Sequence, residues 1–177
     1  MGSIDVLDKP LTRDELVAGY VAIADDPRFA TVVGKVELNA FGQILVTPPP
    51  AVWHQRTGGR LIRSLVATLE GEAFQECPIA IPASGVLVPD VVWCSFEFLG
   101  RHRGERIFSA APEICIEVLS PSNTTEEIAA KRDAYLRAGA IEVWIVDPVE
   151  QVVNCFDAGG ARSASQFVVD LSRLFEA

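Results

Sequence analysis

The chain is poor in the features that would make a membrane span, a zinc site or a basic nucleic-acid coat. No apolar run reaches the ~20 residues that a helix needs to cross a bilayer, so a transmembrane helix is excluded. The N-terminal stretch MGSIDVLDKP has no basic region followed by an apolar one, and the sequence predicts no signal peptide. Met1-Gly2 opens like an acylation signal, but Asp5 and Val6 do not fit a pattern that asks for Ser or Thr at position six. A cytoplasmic protein with no membrane attachment is expected. The four cysteines, Cys77, Cys94, Cys115 and Cys155, form no C-x-x-C pair, which argues against zinc; three lie in apolar runs and read as buried reduced thiols. Lysine is scarce, with only Lys9, Lys35 and Lys131. There is no internal repeat and no low-complexity segment.

What is present suits one packed domain. A length of 177 residues with 49% hydrophobic content supports a full core and excludes disorder. The predicted domain spans 1–177, with an N-terminal helix over about 12–25, a core over about 34–157 and a short C-terminal tail. The balance of 15 basic against 24 acidic residues, net −9, argues against a protein that simply coats nucleic acid. The charge is uneven, since residues 51–110 hold six arginines and six acids. The most basic run contains Arg101, Arg103 and Arg106; it reads first as a solvated loop and second as a phosphate contact.

In chain order, Thr12 and Glu15 have capping-box spacing, and Leu16, Val17, Tyr20, Val21 and Ala24 follow as a helical stripe. Lys35–Leu38 and Gln43–Thr47 read as short strands around a Gly turn, with Glu37 in the first. Pro48-Pro49-Pro50 is a stiff stop. A second helix is predicted over Trp53–Glu70, with Leu61, Ile62, Leu65, Val66 and Leu69 on its apolar face. Arg56, Arg60 and Arg63 lie opposite, as a solvated face ahead of a nucleic-acid contact. His54 sits at the edge of the apolar side and reads as a hydrogen-bonded packing residue ahead of a catalyst. Gln75–Ile81 and Val86–Cys94 are the next predicted strands. Gln151–Phe156 should hairpin back after Asp147-Pro148. Residues 157–162 then form a loop, Gln166–Val169 a last strand, and Leu171–Phe175 a tail.

The chain is organised around Pro112 to Asp147. An apolar run, Ile114–Leu119, is followed by a turn, a helix with Thr124–Glu127 capping and a Gly139 stop, and a second apolar run, Ile141–Val146. This is the pattern of a βαβ unit, whose parallel strands lie in a covered sheet. Alternation puts Ile114, Ile116 and Val118 on one face and Cys115, Glu117 and Leu119 on the other. An ionised Glu117 inside such a strand needs a partner or a metal. Lys131 flanks the helix stripe of Ile128, Arg132, Tyr135 and Gly139, placed either to reach toward Glu117 or to extend to solvent. Asp90, between Val88 and Val92, is a second acid in an apolar run. Two such acids have the character of a carboxylate metal site, which suits Mg²⁺ or Mn²⁺.

Pro89-Asp90, Glu117 in EVLSPS, Lys131, Tyr135 and Gly139 in K-x-x-x-Y-x-x-x-G, and EVWIVDP together resemble the bacterial Uma-type family of restriction-endonuclease type, within the PD-(D/E)XK nuclease superfamily. Glu37-Leu38 before a Gly turn, TPPP, and His54 before a helix extend the resemblance over nearly all of residues 11–157. It implies an α/β (α+β) restriction-endonuclease-like core, a mixed β-sheet flanked by helices, with Asp90 and Glu117 as metal ligands. The superfamily's usual lysine stands two residues after the second acid. Leu119 occupies that place here, and Lys131 is the matching residue on the next helix. Glu37 corresponds to an additional acid, and His54 and Tyr135 to accessory groups. The implied activity is Mg²⁺- or Mn²⁺-dependent hydrolysis of phosphodiesters, with DNA as partner. The alternative is a non-catalytic module that binds protein or nucleic acid. Cutting both strands of a duplex is easiest with two sites, so a homodimer is expected, with Trp93, Phe96 and Phe98 as its apolar patch. Lys131→Ala is expected to leave folding and Mg²⁺ affinity almost unchanged.

Overall fold

The computed structural model of the chain describes residues 9–176. The segment read above for a signal peptide and for acylation lies outside them but for its last two residues, Lys9 and Pro10. Helix α1 (Arg13–Asp25) starts at the predicted capping box, with Thr12 and Glu15 bonded reciprocally. Strands β1 (Lys35–Asn39) and β2 (Ile44–Thr47) precede α2 (Val52–Thr68). Next come β3 (Gly71–Gln75), β4 (Ile79–Ile81), β5 (Gly85–Leu87), β6 (Val91–Ser95) and α3 (Phe96–Arg101). The C-terminal half holds β7 (Ile114–Val118), α4 (Thr125–Arg137), β8 (Glu142–Asp147), β9 (Val152–Asp157) and β10 (Gly160–Arg162). No described helix is long and apolar enough to cross a membrane.

The strands form two sheets. The smaller has the order β2-β1-β5-β4 and the larger β10-β9-β8-β7-β6-β3. β7 and β8 pair in parallel, with Glu117 opposite Ile145, so β7-α4-β8 is the βαβ unit. The other pairs are antiparallel, and the fold is a mixed α+β arrangement.

Two predicted strands are each divided between the sheets. Val86–Cys94 is not continuous: β5 belongs to the small sheet and β6 to the large one, with Val88–Asp90 as the crossing. Pro89 has no N–H to give to a ladder, so the run breaks there. Likewise Gln75–Ile81 splits into the end of β3 and the whole of β4, on either side of Glu76, whose φ is +53°. Gly85 joins the small sheet at φ +117°, where an added Cβ would lie 1.9 Å from the Leu38 carbonyl oxygen; only glycine fits there.

Each face of the large sheet is covered as the alternation predicts. Ile114, Ile116, Val118, Trp144 and Val146 pack with Leu61 and Leu65 of α2 and with Leu174. Cys115, Val143, Ile145, Val92 and Cys94 pack with Ile128, Ala134 and Tyr135 of α4. A third cluster seats Leu16 of α1 on Leu38, Ala80 and Val86 of the small sheet. Truncating one of these enclosed leucines to alanine costs about 2–5 kcal/mol.

Three further expectations are corrected. Trp93 and Phe98 are buried, Trp93 against Phe167 and Phe98 against Phe108, so of the expected dimer patch only Phe96 is exposed. Alternation along β6 turns Trp93 toward α2, and Phe98 falls on the inner side of the short α3. Gln166–Val169 is not a strand. Its donors go to side chains: Gln166 N–H to Glu142 at 2.7 Å and Phe167 N–H to Ser165 at 2.9 Å. The final strand is instead β10, inside the expected loop, paired with β9.

Candidate active site at the seam of the two sheets

The site begins with β1. Period-two geometry turns Lys35 and Glu37 to one face of that strand. Glu37 Oε1 accepts from the Val88 N–H at 2.8 Å and from Lys131 Nζ at 2.8 Å. Lys35 Nζ donates to the Val88 carbonyl at 3.0 Å and to Asp90 Oδ1 at 2.9 Å. Both side chains of β1 thus fasten onto the Val88–Asp90 crossing.

Asp90 is held on its other oxygen as well. Oδ2 accepts from the Val118 N–H at 2.8 Å and lies 3.2 Å from His54 Nε2. The same His54 nitrogen is 3.0 Å from the Val118 carbonyl, so one ring N–H is shared between two acceptors. α2 brings His54 to this point because its first turn follows directly on Pro48–Pro50, which wall the cleft.

Glu117 points from β7 toward α4. Its Oε1 accepts a 2.6 Å bond from Tyr135 Oη and lies 3.7 Å from Lys131 Nζ. Lys131 and Tyr135 are four residues apart, one helical turn, and reach the acid together. α4 starts at the Thr124–Glu127 capping box that the sequence predicts.

Lys35, His54, Asp90, Glu117 and Lys131 line a cleft of about 230 Å³, together with Ser120, Ser122 and Asn123 of the β7–α4 turn. Asp90 and Glu117 are 12% and 5% exposed at the side chain, so charge is costly there. Burial raises the Glu117 pKa; nearby Lys131 works against that and Asp90 adds to it, and the carboxyl stays above its ordinary range. Burial also acts to raise Asp90, but the His54 hydrogen bond and the Lys35 charge overcome it and hold that carboxyl below its ordinary range. For Lys35, burial opposes the ammonium, while Glu117 and Asp90 outweigh it and the pKa rises. Lys131 follows the same logic with Glu117 and Glu37. Burial, with Glu117 beside it, raises the Tyr135 phenol well above its usual value, so it stays a donor.

Asp90, Glu117, Glu37, Lys131, His54 and Tyr135, all named from the sequence, come together here. Lys131 reaches inward and does not extend to solvent. Lys35 was missed, although it stands two residues before Glu37 on one strand face. Arg101, Arg103 and Arg106 do not line the cleft. Arg106 is paired with Asp25 through two 2.7 Å bonds, and Arg101 lies 4.0 Å from Glu97. The cysteines are free; burial pushes Cys77 and Cys155 up to about 11, so neither is a ready thiolate.

The carboxylates of Asp90 and Glu117 are hard oxygen donors, the kind that Mg²⁺ and Mn²⁺ take. Among the described residues no three His, Cys, Asp or Glu side chains converge on one cation position. Two carboxylates would leave most of the coordination positions of such an ion to water.

A model of the Uma2 family, described as "putative restriction endonuclease", matches residues 32–176. A crystal structure described as a putative nuclease belonging to DUF820, from Anabaena variabilis, is similar over 94% of this chain and 98% of that chain. Its TM-score is 0.68 at 20% sequence identity, a likeness of fold. No curated protein matches the chain.

Proposed function

The chain belongs to the Uma2 family, described as putative restriction endonucleases, and from that premise we propose that it is a metal-dependent nuclease hydrolysing phosphodiester bonds of DNA in the cytoplasm. The observation that carries this reading is the convergence of Lys35, Asp90, Glu117 and Lys131 on one cleft from separate elements, with Glu37 bonded to Lys131 behind it. Asp90 and Glu117 would hold Mg²⁺ or Mn²⁺, which supplies Lewis-acid polarisation of the phosphate and a bound water of lowered pKa.

The chain's own groups do the rest. His54 and the Val118 N–H fix the orientation of Asp90. Tyr135 donates to Glu117 and fixes that carboxylate. Glu37, largely enclosed, aims Lys131. The Lys131 side chain is 21% exposed, so its ammonium meets a substrate at the cleft mouth and neutralises the charge that develops on the phosphate oxygens. Cutting both strands of a duplex is easiest with two such sites, and the reading includes a two-fold dimer.

The test is cleavage of supercoiled plasmid and labelled duplex with Mg²⁺, Mn²⁺ or chelator. Metal-dependent cutting by wild type, lost in Glu117→Gln, is the expected result. Cutting that survives Glu117→Gln would remove Glu117 from the chemistry. One observation favours a second reading, a non-catalytic module that binds protein or nucleic acid: both oxygens of Asp90 are already occupied by partners of the same chain. That reading predicts no cleavage with any divalent ion.

A further inference from the structure

α2 is a helix of 17 residues without one Asp or Glu, in a chain with 24 acids. Its outer side carries Arg56, Arg60 and Arg63, which at ~100° per residue fall within about 60° of one another. Among the described residues none of the three has a salt-bridge partner, in contrast to Arg101 and Arg106. Arg60 donates to the carbonyls of Leu174 and Glu176 and so pins the C-terminal segment. Arg56 and Arg63 are exposed.

Gly59 lies among these arginines. A glycine inside a helix is destabilising relative to alanine and calls for a reason. Neighbouring Gly58 is buried, and a Cβ there would have to displace the end of the Gln75 side chain, 2.6 Å away. Gly59 has no such contact within the molecule: a Cβ would meet nothing within 4 Å. It floors a hollow of about 320 Å³ walled by Arg56, Arg60 and Arg63. An adjoining hollow of about 520 Å³ adds Arg173, with Asp170 and Glu176 also on its wall. The bare helix surface lets an external chain come close to guanidinium forks, which match phosphate geometry.

We propose that this face of α2 binds the sugar-phosphate backbone of nucleic acid and leads it to the cleft, where the first turn of the same helix places His54; the assignment rests on the nuclease reading above. Arg56 to Arg63 spans about 10 Å at ~1.5 Å per residue, comparable to the rise of about three base pairs along a duplex axis at ~3.4 Å each.

The test is fluorescence anisotropy of the full chain, in chelator so that nothing is cut, with labelled DNA and RNA duplexes of one sequence over about 50–200 mM salt. Arg56→Ala with Arg63→Ala should weaken binding at least ~10-fold and lower the log–log salt slope by about two, near one per lost phosphate contact. Lys9→Ala with Arg13→Ala, an equal loss of charge at exposed positions at and just before the start of α1, should change neither. Gly59→Gln should raise the melting temperature and weaken binding, opposite signs that a purely structural role does not produce. The arm with the higher affinity identifies DNA or RNA as the backbone bound. Wild-type affinity and slope in the double variant overturn the proposal, and so does a wild type that binds neither duplex. A wild type that binds through these arginines yet cuts nothing with metal keeps the surface and removes the nuclease reading. Metal-dependent cutting alongside an unaffected double variant does the reverse.

Discussion

Lys35 Nζ lies 2.9 Å from Asp90 Oδ1, so an acid expected to take a metal already carries an ammonium from its own chain. The two cations compete for one oxygen. Lys35→Gln should therefore tighten Mg²⁺ binding by roughly tenfold, ~1.4 kcal/mol, in calorimetry. The same change breaks a largely buried pair and should lower unfolding stability by about 3 kcal/mol in metal-free buffer. Weaker Mg²⁺ binding in Lys35→Gln would show that Lys35 supports the metal and does not oppose it.

Lys131 has a larger structural role than its sequence position implies. Its 2.8 Å bond to the enclosed Glu37 means that Lys131→Ala leaves two acids short of a partner, so folding should not be indifferent to the change. A loss of about 2–4 kcal/mol is expected in chemical denaturation. Cleavage should fall by at least ~10²-fold, the usual size for losing one preorganised electrostatic group. Lys131→Arg should recover more stability than activity, because a planar fork does not replace a compact ammonium. Full cleavage by a folded Lys131→Ala protein would end its catalytic assignment.

The pH dependence has two limbs. His54 is raised above its ordinary 6.5: burial opposes its charge, but the hydrogen bond and negative charge of Asp90 outweigh burial. A raised group adds stability that is complete below the unfolded pKa and disappears as pH climbs through the folded one. The urea midpoint in chelator should thus decline above about pH 6.5, and His54→Asn should flatten that decline. Asp90 acts at the acid end, since its folded pKa lies below the ordinary 3.8 and its contribution is lost as pH falls through the folded value. Asp90→Asn should remove that acid limb.

Glu142, buried at the start of β8, accepts from Trp144 Nε1 at 2.6 Å, Ser165 Oγ at 2.6 Å and the Gln166 N–H at 2.7 Å. Glu142→Ala would strand three donors and should cost about 3 kcal/mol or more. Protease cleavage should then appear first near residues 163–169, which Glu142 holds through Ser165 and Gln166.

How much was legible follows from where each signal lies. The β7-α4-β8 unit, with Glu117, Lys131 and Tyr135, sits in one contiguous stretch where capping, alternation and helical period agree. Lys35 was not legible, because its partner Asp90 is 55 residues away and only the seam between the sheets joins them. Val86–Cys94 is apolar on both sides of its break, so periodicity could not divide it and Pro89 was the one mark. Glu142 was not singled out within the run Ile141–Val146, since its partners lie in a segment whose sequence resembles a strand.

The lysine beside Glu117 comes from α4 and not from the strand position held by Leu119, which packs into the core beside α4. The ammonium is therefore carried by the same rigid element whose Ile128, Ala134 and Tyr135 anchor it to the sheet. The turn between β7 and α4 is relieved of chemistry, although Ser120, Ser122 and Asn123 still face the cleft. Under the nuclease reading labour would be divided there: a change in the length or sequence of the turn would alter the cleft wall while Lys131, Tyr135 and Glu117 stay where the core has put them.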